Sequence, residues 1–182
     1  AAAVELPGGD LLLITTDLLM EGVHFRLDWG APDALGWKGL AQNLSDIAAM
    51  GGAPTHAVVA LAVPPGWPTA DAVALYQGIA ELAKKAGVDI VGGDTIRSAG
   101  PLTLSFTVLG RVAAHELLTR SGARPGDALY VTGALGMAAA GLRILERGRA
   151  WKASLQPCVD AQLRPRPRLA AARALAASGL VT

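Results

Sequence analysis

Two stretches of helical length, each stopped by glycine, constrain this chain more than any other feature. Asp33 to Met50 begins just behind Pro32 and ends at Gly51-Gly52; Thr69 to Ala86 opens on a threonine able to cap it and ends at Gly87. Glycine tolerates the left-handed backbone that closes a helix, and apolar residues recur between these marks at helical spacing. Apolar runs of strand length stand around them: Leu11–Thr16, Val58–Val63 ahead of Pro64-Pro65, and Val88–Val91 running into Gly92-Gly93-Asp94. Leu102–Leu109 alternates Leu, Thr, Leu, Ser, Phe, Thr, Val and Leu, the period of a half-buried strand. Strands alternating with helices predict a layered α/β or α+β domain.

A chain of 182 residues is long enough for one domain and part of a second. Hydrophobic residues make up 52% and aromatic ones only 4%, which suits helices packed closely on a sheet and not a surface for stacking bases. No apolar run approaches the roughly 18 residues that cross a bilayer. Ala1 to Gly9 has no basic flank or cleavage pattern, so no signal peptide is expected. Cys158 is the single cysteine, which excludes an intrachain disulfide and fits a reducing compartment; a cytoplasmic protein is expected. The net charge of +1 is unevenly spread: residues 1–110 carry 5 Lys/Arg against 11 Asp/Glu, and residues 111–182 carry 11 against 4. Acidic groups in the first part could hold cations and basic ones in the second could hold phosphate, although two ordinary solvated surfaces would look the same.

Composition shifts at "RSGARPGD", Arg120 to Asp127, which has the glycine, proline and charge of a linker. The reading is a domain over 1–112, a linker over 113–126 and the start of a second α/β domain over 127–182, expected to be incomplete. In that last part a strand is predicted at Ala128–Val131, a helix from Leu135 to Arg147, and an Ala-rich helix closing at Ser178-Gly179. "RPRPR", Arg164 to Arg168, reads as an extended lead-in to that helix in preference to a nucleic-acid patch, because each proline biases its predecessor away from helix.

Three acidic positions share a context of small residues. Asp17 follows the first predicted strand, Asp46 lies late in a helix within "NLSDIAAMGG", and Asp94 follows Gly92-Gly93. Hard divalent cations bind carboxylate, hydroxyl and carbonyl oxygens, and Thr15 and Thr16 could supply such oxygens beside Asp17. Taken singly, each Asp fits a turn or cap better than a ligand; metal binding requires that the three converge. Magnesium there would neutralise a polyphosphate that carboxylates alone repel, and paired glycines would admit phosphate to backbone N–H groups. A P-loop, a dinucleotide fingerprint and protein-kinase motifs are all absent. His24, His56 and His115 show no zinc spacing.

The segments "TTDLLMEGVHF", "LGWKGLAQNLSDIAAMGG", "GIAELAKKAGVDIVGGDTIRS", "RSGARPGDALYVTGALG" and "RPRPRL" resemble, in this order, the thiamine-monophosphate kinase family. That family belongs to the PurM-like superfamily of aminoimidazole ribonucleotide synthetase. "NLSDIAAMGG" alone indicates the superfamily, whereas "EGVHF" after "TTD", followed by "LGWKGLA", points to the thiamine-phosphate branch. The resemblance implies an α+β, PurM-like N-terminal domain whose mixed or antiparallel sheet is packed by helices. It implies transfer of the ATP γ-phosphoryl group to thiamine monophosphate, assisted by several Mg²⁺ ions. Carried onto this chain, Thr15, Thr16, Asp17, Asp46 and Asp94 match metal ligands. Tyr76, Gly93, Asp94 and Arg120 match ATP contacts, and His24 matches a substrate contact. A phosphate oxygen is already a nucleophile near neutral pH, so positioning and charge neutralisation can carry such a reaction without a strong base.

The resemblance also implies a homodimer, for which Leu102–Leu109 and Val58–Val63 are the candidate interface strands, and no nucleic-acid or membrane partner. The family's "GDDAA"-like segment would stand just ahead of Ala1-Ala2-Ala3 and its D-x-S-D-G-L segment beyond Val181, so a partial site is expected. Glu21 has no role beyond solvation or local bonding. Two other readings accompany the kinase: another ATP user of the superfamily, of the aminoimidazole ribonucleotide or selenophosphate type, and a non-catalytic nucleotide-binding or dimerisation module. Selenophosphate synthetases generally use an N-terminal Cys or selenocysteine, and this chain has none there.

Overall fold

The structure, a computed structural model, describes residues 1–148 and 150–182. Five strands, β1 (Ala2–Glu5), β2 (Asp10–Met20), β3 (Ala53–Val63), β4 (Asp89–Arg97) and β5 (Thr103–Ala113), form one mixed sheet in the order β1-β2-β5-β3-β4. All neighbours are antiparallel except β3 and β4, which run parallel with α2 (Thr69–Ala86) as their crossover. Both α2 and α1 (Pro32–Ala49) cover a single face of the sheet, so this part is a two-layer α+β domain, as the sequence implied.

Period two assigns the faces. Leu13, Thr15 and Leu19 of β2, Leu104, Phe106 and Val108 of β5, and Ala57, Val59 and Leu61 of β3 point toward the helices and are buried. Leu40, Leu44 and Ile47 of α1 and Leu75 and Ile79 of α2 close the core over them. Burying one such side chain stabilises by about 1.5–3 kcal/mol. The opposite face of the sheet is open, with Leu18 52%, Val58 40% and Ile96 55% exposed.

Glycine sets how close the layers come. A Cβ at Gly36 would overlap the Leu75 carbonyl oxygen, and one at Gly78 would overlap the Asp33 carbonyl oxygen, so α1 and α2 touch backbone to backbone at two points. At Gly39 the obstacle is the Phe106 ring, which lies against the α1 backbone. The "LGWKGLA" motif is thus first a packing motif.

The sequence readings of α1, α2, β3 and β5 hold within a few residues at each end, except that β3 begins five residues earlier. Four readings are corrected. The strand at Val88–Val91 continues through Gly92-Gly93-Asp94 to Arg97, because an edge strand needs backbone pairing with β3 and no apolar face of its own. β2 likewise runs to Met20, placing Asp17 inside the strand and not after it. Ala128–Val131 forms no strand, with Leu129 95% and Tyr130 91% exposed; a strand needs a hydrogen-bonded neighbour, and the described residues provide none. Thr69 is also the first helical residue of α2 and gives no side-chain cap, since Pro68 occupies the capping position.

Beyond the sheet lie α3 (Met137–Glu146), α4 (Gln156–Leu163), unforeseen in the sequence, and α5 (Leu169–Ser178). "RPRPR" connects α4 and α5 without helical structure of its own, and Arg164 and Pro165 fasten it to α1 and α2. Arg164 donates to Asp33 Oδ2 at 2.8 Å and to Glu81, while its guanidinium lies 4.6 Å from the Trp37 ring centre. Trp37 Nε1 donates to the Pro165 carbonyl at 2.7 Å, and the Lys85 ammonium lies 4.8 Å from the same ring. The arginine is used in packing, consistent with the lead-in reading of this tract.

Gly78→Ala is expected to lower stability by about 1–3 kcal/mol, because α1 must move off α2. Gly92→Ala, with open space at its Cβ position, is expected to stay within about 0.5 kcal/mol of the parent. Urea unfolding of both variants checks this; equal midpoints would show that the helix contact is looser than described.

Candidate functional site

β2 carries "TTD" across both sheet faces, because successive residues point opposite ways. Thr15 and Asp17 face α1, where Asp46 sits in the last turn but one. Thr15 is buried and its hydroxyl donates to Asp46 Oδ2 at 2.7 Å, tying β2 to α1 by a charge-assisted bond. The amino group of Ala1 lies 3.7 Å from the same oxygen. Asp17 is pushed above the usual carboxylate range, first by burial and then by the neighbouring Asp46 carboxylate; the Ala1 amine and His24 offset part of this.

His24 stands on a tight turn after β2. Gly22 has φ +81°, which a side-chain-bearing residue rarely adopts, and the turn closes with Gly22 N–H to the Phe25 carbonyl at 2.8 Å. The Met20 N–H donates to His24 Nδ1 at 3.1 Å, which leaves Nε2 as the outward ring nitrogen. Thr15, Asp17, Asp46 and His24 therefore gather where β2 meets α1. Glu21 donates its backbone N–H to the Leu102 carbonyl and bridges to Phe25, a local role.

The other sequence candidates lie elsewhere. Thr16 points to the open face and accepts from the Thr107 hydroxyl at 3.1 Å. Asp17 pairs across the sheet with Phe106, Val59 and Gly93 in turn, so Gly93 and Asp94 are three strand spacings away, roughly 14 Å. Asp94 sits beside Ala60 on the open face, and its Oδ1 accepts from the Thr95 N–H at 2.8 Å. Gly93 is glycine for a packing reason, since a Cβ would overlap the Val59 carbonyl oxygen. Tyr76 lines an apolar surface hollow on α2 with Thr69, Val73 and Ala80. Arg120 is exposed two residues after Leu118, whose N–H donates to Met50 at the end of α1 that carries Asp46.

Convergence of Asp17, Asp46 and Asp94 is not observed: among the described residues no group of three or more His, Cys, Asp or Glu side chains could hold a metal ion. The physical reason is strand parity together with lateral separation. Two carboxylates and a hydroxyl do remain together, and that donor set fits Mg²⁺, which uses one or two carboxylates and takes its other oxygens from water and phosphate. Two residues were missed at the sequence level. Asn43 is fully buried, with Nδ2 donating to Gly39 and Oδ1 unpartnered, and Lys38 is a lone charge inside an apolar helical run. A polar residue within such a run was the available signal for both.

The raised pKa of Asp17 has a definite sign. The folded state holds the proton more tightly than the unfolded chain, so ionisation of Asp17 costs stability above its folded pKa. Asp17→Asn is expected to unfold at higher urea concentration than the parent at pH 7, with the difference shrinking as the pH falls into the ordinary carboxylate range. A gap that widens on acidification would contradict the electrostatic account.

Comparison with known proteins bears on this geometry. Residues 1–112 match the family model described as AIR synthase related protein, N-terminal domain. The thiamine-monophosphate kinase of Bacillus subtilis is 40% identical over 164 residues, covering 88% of this chain and 50% of that protein. The Escherichia coli K12 enzyme of the same name is 39% identical over 180 residues, covering 96% and 53%. A solved structure, AaThiL complexed with AMPPCP and TMP, superposes with a TM-score of 0.90 at 31% identity, covering 96% of this chain and 55% of that one. The thiamine-monophosphate kinase of Stenotrophomonas maltophilia gives 0.85 at 36% identity, with coverage of 96% and 56%. The chain thus spans about half the length of the curated relatives it matches. With the two-layer domain and the matched residues 1–112 in agreement, the chain belongs to the AIR synthase related family.

Proposed function

We propose that this chain forms part of an ATP-dependent thiamine-monophosphate kinase, with residues 1–112 as its N-terminal domain, 113–126 as linker and 127–182 as the start of a second domain. The observation that carries the reading is the cluster of Thr15, Asp17, Asp46 and His24 where β2 meets α1. Two carboxylates repel one another there, and a cation would remove that cost. In this reading Mg²⁺ bound at the cluster supplies charge neutralisation for the ATP phosphates. Asp17 and Asp46 are its carboxylate ligands, and the Thr15 hydroxyl orients Asp46. His24 contacts the acceptor through its outward Nε2, with Nδ1 already committed to the Met20 N–H. Arg120 would approach phosphate charge from the α1 end of the site, and Tyr76 with Gly93 and Asp94 would contact the nucleotide from α2 and β4. Thr16 and Asp94 share the open face of the sheet, so their proposed metal contacts belong to a separate ion from the one held by Asp17 and Asp46.

The open face also supports a proposed homodimer. β3 and β5 have both edges paired within the sheet, so neither can pair edge to edge with a second copy; the face bearing Leu18, Val58 and Ile96 remains available. The proposed setting is the cytoplasm, in keeping with a single cysteine; no described helix is long and apolar enough to cross a membrane.

The intact protein, given ATP, Mg²⁺ and thiamine monophosphate, is expected to form thiamine diphosphate, and Asp46→Asn is expected to lower turnover at least about tenfold. No product above background would sink the kinase reading. Leu18→Asp is expected to shift the mass measured by light scattering from dimer to monomer, and an unchanged dimer would place the interface elsewhere.

A further inference from the structure

The turn that follows β2 is tied to Met20 through both halves of its peptide. The Met20 carbonyl accepts from the Val23 N–H at 3.2 Å and from the His24 N–H at 2.9 Å, while the Met20 N–H donates to His24 Nδ1 at 3.1 Å. Buried Phe25 anchors the far side of the turn. The backbone and the ring of His24 are therefore both held, although the residue is exposed. An imidazole nitrogen that accepts a hydrogen bond carries no proton, so Nδ1 is bare and the proton of the neutral ring sits on Nε2. A charged ring would set an Nδ1–H against the Met20 N–H and lose that bond. Neighbouring charge acts in both directions. Asp17 is close enough to feel a charge on the ring, and Asp46 and the Ala1 amine act on Asp17 as well, while Arg26 is taken up by Asp28. A cation held between Asp17 and Asp46 would cancel their pull toward a charged ring.

We propose that His24 is a fixed hydrogen-bond donor, presenting Nε2–H to an anionic oxygen of the acceptor's phosphate, and that its ring takes no proton during the transfer. A nitrogen that already bears hydrogen cannot serve as a base at that atom. None is needed: a phosphate monoester has its second pKa at about 6, so its oxygen is already a dianion's. That oxygen forms the new bond to the γ-phosphorus as the bond to the ADP oxygen breaks, and no proton has to leave. The Met20 N–H thus decides what His24 can bind, an acceptor atom and not a donor. The identity of the phosphate rests on the kinase reading; the tautomer does not.

Two measurements test it. In histidine-labelled intact protein at about pH 8, where an ordinary histidine is neutral, ¹⁵N NMR reads the tautomer, and His24→Gln identifies the His24 signals among those of the three histidines. A bare Nδ1 and a protonated Nε2 are expected, with the Nε2 signal moving when inorganic phosphate is added with Mg²⁺. A proton on Nδ1, or on both nitrogens, overturns the proposal, and so does an Nε2 signal that phosphate leaves in place. Steady-state kinetics supply the second test. A glutamine amide reaches the position of Nε2 and an asparagine amide only that of Nδ1. His24→Asn is therefore expected to raise KM for thiamine monophosphate about tenfold or more, and His24→Gln only about threefold. Equal losses in the two variants overturn the proposal, as does disappearance of an acidic limb from the kcat pH profile in His24→Gln. A parent protein that makes no thiamine diphosphate counts against the kinase reading, and the NMR result then decides this proposal by itself.

Discussion

Everything in the first domain depends on how closely α1 approaches its neighbours. Helices with ordinary side chains at the contact pack with axes 8–10 Å apart. Here Gly36 and Gly78 remove the side chains at the crossing with α2, and Gly39 removes the one above Phe106. The helix therefore lies close on the sheet with α2 at its side, buried along most of its length, with only Gln42, Ser45 and Ala49 exposed in its second half. A helix held so tightly can place a carboxylate with little freedom. Asp46 is set against Thr15 of β2 by the same packing that buries Leu44 and Ile47 beside it.

The chemistry of the site follows from strand parity. "TTD" looks like one polar cluster in the sequence, yet a strand sends Thr15 and Asp17 to the helices and Thr16 to the open side. The first pair meets Asp46, where burial and then the like charge of Asp46 lift the Asp17 pKa; the other threonine meets Thr107 in the open. Asp94 lies on the open face at the far side of the sheet. A site assembled from all of these would draw on both faces of the sheet.

The basic second part of the chain is joined to the acidic first part by a small number of strong contacts. Arg164 is gripped by Asp33 and Glu81 while stacked on Trp37, and Lys85 shares both Glu81 and the indole. Lys85 and then Arg164 hold the Glu81 carboxyl below the usual range. The charge asymmetry seen in composition thus has a structural use at this junction. Leu163, next to the clamp, completes the wall of a small hollow shared with Phe25 and Lys38, so the docking of α4 and the shape of that hollow are a single arrangement.

Local pattern determined the kinds of element and most of their limits: helices between proline and glycine marks, strands from period two or apolar runs, and a non-helical "RPRPR". These readings succeeded because they depend on residues within one or two turns of each other. The unpaired Ala128–Val131 shows the boundary of that method, since strand propensity cannot supply a partner. The sequence by itself also determined the polar candidates and, through resemblance, the family. Only the tertiary structure decided which of them meet. Sheet order and strand parity put Asp17 with Asp46 and send Thr16 and Asp94 to the other face, because side-chain direction and lateral strand spacing depend on pairing between residues far apart in the chain.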